Sequence, residues 1–491
     1  MNVNLLINEL LTYGLEKGIL APENYTYTSN ALIDLFNQTE FITEITNPRE
    51  IDCILNDLAV YAYDNEIIKE NNVVTFDNFK AKVIDVLIDK PQEVIRKFFD
   101  HYQGNPQRAT NYLYQLSKDT NYIQTKRIAQ NIIWDCITEY GKITLTINLS
   151  KPEKDPKLIA LQMNKKSGYP KCQLCKENEG YRGHIAYDSR SNMRIIPLKL
   201  NNEHWYFQYS PYSYFNEHSI VLNEKHIPMI INRSTFIKLL DFLDYFPHYF
   251  IGSNAGLPIV GGSILNHEHY QAGRYRFPIE DAKFESLGKW KDVEVGKLIW
   301  PLSTIRIKSK NKENMIELAD LILHKWQSYQ NEDLLIINSK DDLHNTITPI
   351  SRKDGDYYIF DLILRSNYTN EEYPDGVFHP HPSLHHIKKE NIGLIEAMGL
   401  GVLPARLKKE FALIIDGLEG NQDAFQDSSI DKHRHWINTL IKKYDGNGNA
   451  HEFVFQEAGK VFSKVLKDAG VFKMNQEGDQ ALKEFIINIL N

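Results

Sequence analysis

The hydrophobic pattern of this chain changes its period near residue 150. Before that point, stretches such as REIDCILNDLAVYAYDNEII repeat apolar residues every three or four positions, the spacing that places them on one face of a helix. After it, runs such as HWYFQYS, HSIVLNE and YYIFDLILRS are typical of strands, and they alternate with helical stretches such as NRSTFIKLLDFLDYF. A chain of 491 residues also exceeds what one hydrophobic core usually serves. The sequence therefore predicts an α+β protein whose first domain is helical and spans residues 1–150.

Charge, apolar content and cysteine number exclude several classes of protein. The net charge is −8, whereas a nucleic-acid-binding domain is usually basic. No apolar run approaches the ~20 residues that cross a bilayer, and the first residues show neither the basic segment nor the cleavage site of a signal peptide. Four cysteines are too few for a disulfide scaffold. We expect a cytoplasmic protein with neither nucleic acid nor membrane as a partner.

Two of the cysteines, Cys172 and Cys175, are separated by two residues in YPKCQLCKENEG. That spacing lets a tight turn bring both thiolates to one Zn²⁺ ion, at a Zn–S distance of ~2.3 Å. A pair of free thiols is an equally simple interpretation, because a zinc site needs two further ligands. The stretches YFNEHSIVLNEKH and ILNHEHYQ supply His218 and His267. Together the four residues form a candidate zinc site.

The stretch GGSILNHEHYQAG places His267 and His269 two residues apart, with Gln271 two further on. In an extended segment these side chains point to one face, so one histidine can bind metal while the next faces a substrate. A neutral imidazole can attack an α-phosphorus, and an amide can donate a hydrogen bond to the phosphoryl oxygens. Such an attack needs a free lone pair, so the other ring nitrogen of the attacking histidine should donate to a backbone carbonyl. The competing interpretation is a pair of partly exposed loop histidines.

With CQLC and NEHSIVLNE upstream, the segment NHEHYQAG resembles the galactose-1-phosphate uridylyltransferase family (UDP-glucose:hexose-1-phosphate uridylyltransferase) of the histidine-triad superfamily. The helical N-terminal part and YFNEHSIVLNEKHIPM are similar to its second, bacterial class. The resemblance covers roughly residues 155–420. It implies a histidine-triad-like antiparallel sheet with flanking helices. This body is expected in two halves, residues 151–290 and residues 291–491, and the second half ends in a helical tail.

The resemblance also implies a function in galactose metabolism. In the family, UDP-glucose gives its uridylyl group to an enzyme histidine and releases glucose 1-phosphate, and galactose 1-phosphate then takes the group and becomes UDP-galactose. On this chain the nucleophile falls on His269 and the phosphate-contacting glutamine on Gln271. The family's zinc ligands fall on Cys172, Cys175, His218 and His267, with the two histidines 49 residues apart. A homodimer is compatible with the resemblance.

Further substrate contacts fall on two later segments of the resemblance. In SNAGLPIVGGS, Ser263 stands for the phosphate-binding serine of the family and Asn254 is a second candidate; the glycines there let backbone N–H groups approach phosphate closely. In KKENIGLIEAMG, Lys389 is the candidate for the hexose phosphate and Glu396 for the sugar hydroxyls. A solvated helix face explains the KKE run equally well.

The chain departs from the family pattern in two places. Glu268 replaces the proline of the family's His-Pro-His-x-Gln motif. A second metal site of some members uses one glutamate and three histidines, and Glu285, His379 and His381 resemble three of these ligands. The nearest residue for the remaining ligand, His344, aligns poorly. The sequence therefore leaves the second metal site open.

Two other functions stay open on sequence alone. A histidine-triad hydrolase would pass the nucleotide to water, and release of UMP without hexose phosphate would identify it. Such hydrolases carry a third histidine where this chain has Gln271, which favours transfer. A non-enzymatic zinc module that binds RNA or a protein would use the cysteines and histidines only as structure, and the acidic charge speaks against it.

Overall fold

The computed structural model describes residues 2–150, 168–262, 264–338 and 343–491, so Ser263 and the connector that follows residue 150 lie outside the described residues. Within these ranges the chain has 14 helices and 13 strands. The fold belongs to the α+β class with an antiparallel sheet body, as predicted. The chain divides into two compact units, one with residues 1–130 and 150–227 and the other with residues 131–149 and 228–491.

Many of the helices begin at an asparagine whose side chain accepts hydrogen bonds from first-turn N–H groups; Asn2 and Asn72 do so at the first and the fourth helix. No helix in the described ranges is long and apolar enough to cross a membrane. The helices are α1 (Val3–Glu16), α2 (Tyr25–Leu35), α3 (Ile51–Asp64), α4 (Val73–Asp85), α5 (Pro91–Gly104), α6 (Pro106–Asp119), α7 (Thr125–Ile128), α8 (Arg233–Tyr245), α9 (Lys312–Gln327), α10 (Leu394–Ala397), α11 (Leu407–Leu418), α12 (Arg434–Lys443), α13 (Ala450–Ala469) and α14 (Gln476–Leu490).

The strands in the described ranges vary from three to ten residues. They are β1 (Ile132–Thr138), β2 (Gly141–Ile147), β3 (Ile196–Leu200), β4 (Glu203–Tyr209), β5 (Ser219–Asn223), β6 (Phe250–Gly252), β7 (His269–Gly273), β8 (Phe284–Trp290), β9 (Val293–Leu298), β10 (Thr304–Ser309), β11 (Asn345–Asp354), β12 (Tyr357–Ser366) and β13 (Leu400–Leu403).

The first unit starts as the helical domain that the sequence predicts. The apolar faces of α1, α3 and α4 enclose a core that includes Leu10, Leu58 and Ile84, all fully buried. The later part of this unit contains the antiparallel meander β3–β4–β5. The turn that carries Cys172 and Cys175 precedes this meander, and a loop with His226 follows it.

The second unit contains an antiparallel run of strands in the order β7–β6–β11–β12–β10–β9–β8. Helix α8 packs against β11, and α9 packs against α8, β11 and β12. Strands β11 and β12 are buried over most of their length because they lie in the middle of this order. The arrangement leaves the short strand β7, with its histidine, at one end of the seven strands.

A smaller sheet of the second unit has β1 antiparallel and β13 parallel to β2, with α13 packed on β1. Strand β2 lies in KITLTINLS, whose alternating apolar residues are typical of a strand, but β1 lies in a stretch that the apolar spacing assigned to the helical domain. Gly459 of α13 lies so close to β1 that a Cβ at this position would come within 2.4 Å of the sulfur of Cys136.

Candidate active site and metal centre

Strand β7 begins at His269 and pairs antiparallel with β6. His267 is fully buried, and Glu268 and His269 are each 6% exposed. Because side chains alternate along a strand, His269 and Gln271 share one face of β7, as expected from the sequence. His267 precedes the strand at a bend of the chain.

The ring of His269 is held by the backbone just before it. Its Nδ1 lies 2.8 Å from the carbonyl oxygen of His267. A carbonyl oxygen only accepts, so Nδ1 carries the proton and Nε2 keeps its lone pair. Burial lowers the pKa of His269 to about 4, with the bond to the His267 carbonyl acting in the opposite direction. The ring is therefore neutral near pH 7, with the hydrogen bond that was expected for a nucleophile.

Gln271 stands opposite Gly252 of β6. A Cβ on Gly252 would lie 2.9 Å from a methyl carbon of Leu394, so this glycine lets the segment before α10 approach the sheet. Residues opposite each other in an antiparallel pair project to the same face. The face of β7 that carries His269 and Gln271 is therefore the one on which Leu394 packs.

Two of the predicted substrate-binding residues meet at this segment. The side-chain oxygen of Asn254 accepts a hydrogen bond from the backbone N–H of Leu394 at 2.9 Å. One carboxylate oxygen of Glu396 accepts from the N–H of Gly393 at 3.1 Å. Asn254 thus connects the glycine-rich loop to the start of α10, and Glu396 closes the same turn.

The lysine pair before α10 contains one buried and one exposed member. Lys388 is 5% exposed, and its Nζ donates to the second carboxylate oxygen of Glu396 at 3.0 Å. Lys389, the predicted phosphate ligand, is exposed. The sequence analysis missed Lys388, because the pattern KKE does not distinguish which lysine turns inward.

The cysteine turn, residues 172–178 of the first unit, presents two sulfur atoms 3.6 Å apart, those of Cys172 and Cys175. The N–H of Cys175 donates to the carbonyl of Cys172 at 3.2 Å. Buried Asn178 donates its amide to both cysteine carbonyls, at 2.8 and 2.7 Å, and accepts from the hydroxyl of Tyr187 at 2.8 Å. Backbone and amide hydrogen bonds thus fix the turn that brings both sulfurs to one side.

The histidine beside this turn is His226, where the sequence analysis expected His218. The Nδ1 of His226 lies 3.2 Å from the sulfur of Cys175. Asn223, the last residue of β5, accepts from the backbone N–H two residues on at 2.9 Å and so turns the chain just before His226. His218 lies at the opposite end of β5, where its ring packs against Phe215. Both histidines stand in YFNEHSIVLNEKH, and the asparagine turn is the signal that separates them.

Within the first unit, Cys172, Cys175 and His226 form a group that could hold a metal ion, with ligand atoms within 4.8 Å of one another. Two thiolates and two imidazoles are a donor set that suits zinc. Burial, with the neighbouring thiol of Cys175, raises the pKa of Cys172, so a bound cation is what would stabilise the thiolate form. The three residues fit part of such a zinc site, and His267 stays the fourth ligand that the sequence predicts.

The residues expected at a second metal site do not meet within the described ranges. Glu285 of β8 forms ion pairs with Lys297 at 3.4 Å and Lys483 at 3.1 Å, and two cations beside a carboxylate oppose a metal there. His379 hydrogen-bonds an asparagine side chain at 3.1 Å, whereas His381 stacks on a tyrosine ring with centroids 4.6 Å apart. Each of the three predicted ligands therefore has other partners.

Two family models match most of the chain. Residues 20–228 match the N-terminal domain of galactose-1-phosphate uridyl transferase, and residues 242–436 match its C-terminal domain. The chain belongs to the galactose-1-phosphate uridylyltransferase family. The cysteine turn and His226 lie within the first match, and β7 and α10 lie within the second. Membership of this family makes the protein an enzyme of the transferase class.

Curated relatives extend the similarity over the full chain. The galactose-1-phosphate uridylyltransferase of Clostridium acetobutylicum is 49% identical and covers 99% of this chain and 100% of its own length. That of Caldanaerobacter subterraneus is 47% identical, with 98% of this chain and 96% of its own length covered. That of Lactococcus lactis is 44% identical and covers 100% of both chains. The helical N-terminal part is therefore shared with these relatives.

Proposed function

We propose that this member of the galactose-1-phosphate uridylyltransferase family exchanges a uridylyl group between UDP-glucose and galactose 1-phosphate in the cytoplasm. The proposed reaction is ping-pong, with His269 as the carrier of the group. Relatives that bear the enzyme's name match the chain from end to end, which supports the substrates. The mechanism is supported by the residues of β7.

The observation that carries the proposal is the hydrogen bond between Nδ1 of His269 and the carbonyl of His267, 2.8 Å long. It fixes the tautomer and the ring orientation together, because the donor nitrogen is committed to the backbone. Nε2 is then left with a lone pair for attack, as a histidine nucleophile requires. A histidine that only fills a strand end has no need of this arrangement.

In the first half-reaction, Nε2 of His269 attacks the α-phosphorus of UDP-glucose. An N–P bond forms and the bond from that phosphorus to the bridging oxygen breaks, so glucose 1-phosphate leaves with the electron pair. In the second, a phosphate oxygen of galactose 1-phosphate attacks the same phosphorus, the N–P bond breaks and UDP-galactose forms. Each step forms one bond and breaks one, and the overall exchange replaces one phosphoanhydride bond with another of the same kind, so the complete reaction is nearly neutral in energy.

The neighbouring side chains have separate roles in this proposal. Gln271 lies on the face of β7 that carries His269, where its amide can donate to a phosphoryl oxygen as negative charge develops. Lys389 is exposed and free to meet a phosphate on the acceptor sugar, while Lys388 neutralises Glu396 within the protein. Glu396 then holds the turn before α10, and its carboxylate oxygens also accept hydrogen bonds from the sugar hydroxyls.

Zinc is the proposed cofactor, with Cys172, Cys175, His226 and His267 as the residues that would hold it. Four protein ligands leave no open position for substrate, so the metal would supply structural stability rather than chemistry. A metal bond to the His267 ring would fix the residue whose carbonyl orients His269. The proposed zinc site therefore supports the nucleophile through the backbone.

The proposal is tested by incubating the purified full-length protein with UDP-glucose labelled in its uridine and no acceptor sugar. The protein should acquire a label that resists base and is released by acid, as expected for a phosphorus–nitrogen bond to histidine. Adding galactose 1-phosphate should discharge the label as UDP-galactose.

Two results would overturn the proposal. Steady release of UMP without an acceptor would identify a hydrolase, with water as the acceptor. Formation of UDP-galactose only when both sugar substrates are present together, with no labelled protein, would mean direct transfer without a histidine intermediate.

A further inference from the structure

The residue between His267 and His269 is a buried acid. Glu268 is 6% exposed, and its Oε1 accepts two hydrogen bonds, from Nζ of Lys238 at 2.9 Å and from the hydroxyl of Tyr270 at 2.9 Å. Lys238 is itself 4% exposed. The segment that carries the proposed nucleophile thus contains a buried ion pair with a third polar partner.

This ion pair lies on the side of β7 away from the proposed chemistry. Tyr270 points to the face opposite His269 and Gln271, because side chains alternate along the strand. The carboxylate of Glu268 is bonded to the hydroxyl of Tyr270, so it lies on that opposite side as well. A direct role of Glu268 at the phosphorus is therefore not supported.

The backbone of Glu268 connects the ion pair to the nucleophile. The peptide group that joins His267 to Glu268 contains the carbonyl oxygen that accepts from His269 Nδ1 at 2.8 Å. A displacement of Glu268 moves that oxygen, and with it the ring that it orients. The side chain of Glu268 is bonded to Lys238, a residue that lies outside the strand.

The other end of the ion pair is anchored firmly. Lys238 belongs to α8, which begins with a reciprocal capping box between Asn232 and Thr235. Lys312 of α9 bonds two aspartates of α8, both at 2.6 Å. Helix α8 is therefore tied to α9 and to the sheet, and Lys238 offers a fixed point for the Glu268 carboxylate.

Stability alone is a poor reason for such a pair. Two buried charges lose their hydration, and replacing them with well-packed neutral residues is often neutral or stabilising. The residue that the family motif has at this position, proline, carries no charge. A geometric role explains the ion pair better, because a charge-assisted bond fixes the distance between helix and strand more tightly than apolar contact.

We propose that Glu268, held by Lys238 and Tyr270, is a positioning residue for His269. The ion pair sets the position of the His267 carbonyl and through it the direction of the His269 lone pair. This inference rests on the proposed function, because it assumes that His269 attacks phosphorus.

The test compares the rate of the first half-reaction in the wild type and in the double variant Lys238→Met/Glu268→Gln. The double variant removes both charges and keeps similar volumes, and the new amide oxygen still accepts from Tyr270. The control is the double variant Lys443→Met/Glu457→Gln, which makes the same two changes at another buried carboxylate. Glu457 is 6% exposed and pairs with Lys443 at 2.9 Å.

We expect the single-turnover rate at saturating UDP-glucose to fall roughly tenfold to a hundredfold in the double variant, the size of effect seen when reacting atoms are slightly misplaced. The KM for UDP-glucose, the fraction of chains finally labelled and the zinc content should stay within about twofold, since the binding groups are unchanged. The control should keep the wild-type rate. A merely structural role would instead lower the labelled fraction and the melting temperature at an unchanged rate per active chain.

Tyr270→Phe is the second variant, because it deletes one hydroxyl with little change in volume and keeps both charges. It should slow the same step by about threefold to tenfold, as the loss of one bond to a charged group implies. Wild-type rates in either folded variant would overturn the positioning role while the proposed function stands. A wild-type protein that never forms the uridylyl-histidine would overturn both.

Discussion

Strand β7 and the cysteine turn present their reactive side chains by different means. In β7 the ring of His269 is oriented by a carbonyl of its own segment, and the strand is placed by pairing with β6. In the cysteine turn the backbone is held by the side chain of Asn178, while the two sulfurs face each other at 3.6 Å. The strand thus fixes a lone pair by its backbone geometry, whereas the turn only brings two thiols together.

This difference indicates where each region is vulnerable. Strand β7 is placed by its pairing with β6 at Gln271, Ala272 and Gly273 rather than by the ring of His269, so a change at His269 should remove chemistry and leave the fold. Two thiolates at close distance repel each other and need a cation between them. Loss of one ligand near the cysteine turn should therefore remove metal and stability together.

The largest expected effect is that of His269→Gly on uridylyl transfer. The activity should fall by on the order of 10⁴-fold or more, because the nucleophile itself is lost. Zinc content and melting temperature should remain close to those of the wild type. Steady-state assays, elemental analysis and calorimetry on one preparation check this, and a variant that still forms labelled protein would show that another residue carries the group.

The next effect compares two histidines at the ends of β5. His226→Ala should lose most of the bound zinc, because His226 stands beside Cys175. His218→Ala should keep its zinc and lose packing against Phe215 and Tyr214. Elemental analysis of both variants, purified in parallel, measures the bound zinc. If His218→Ala loses zinc and His226→Ala keeps it, the ligand set with His218 that was first expected from the sequence is supported.

Removal of the metal from the wild type should act through the cysteine turn. A zinc chelator should lower the melting temperature by at least about 5 °C, since bound structural zinc contributes to folding free energy. A thiol reagent should then modify Cys172 and Cys175, identified by peptide mass spectrometry. Unchanged melting and unchanged thiol protection after complete metal removal would contradict a structural role for the metal.

The smallest expected effect concerns the acceptor sugar. Lys389→Ala should raise the KM for galactose 1-phosphate by about tenfold and leave the KM for UDP-glucose nearly unchanged, as the loss of one charged contact to phosphate implies. Lys388→Ala is the matched comparison, and it should destabilise the protein because Glu396 loses its buried partner. Equal changes in both KM values for Lys389→Ala would argue against its assignment.

The sequence predicted the regular elements well where the apolar period was long and consistent. Helices α3 and α8 and strands β4, β5 and β12 fall where the spacing of apolar residues placed them. Strand β1 was missed, because it packs on a helix more than 300 positions later in the chain, to which Trp134 donates a hydrogen bond at the carbonyl of Phe455. Contacts of that sequence separation leave no local pattern.

The candidate site was predictable where neighbours in sequence decide the geometry. The placement of His269 and Gln271 on one face follows from strand alternation, and the pairing of Cys172 with Cys175 follows from their spacing. The choice between His226 and His218 depends on which end of β5 approaches the cysteine turn. Which lysine of KKE turns inward likewise depends on burial, which the local pattern does not encode.

The central claim is that His267 and His269, two residues apart, have different functions, one as a metal ligand and one as the uridylyl carrier. The most direct measurement is mass spectrometry of the labelled protein, quenched in base after reaction with UDP-glucose and digested to a peptide that contains both histidines. Fragmentation of that peptide should place the added uridylyl group on His269 alone. A group on His267, or on a peptide that contains neither histidine, would contradict the account.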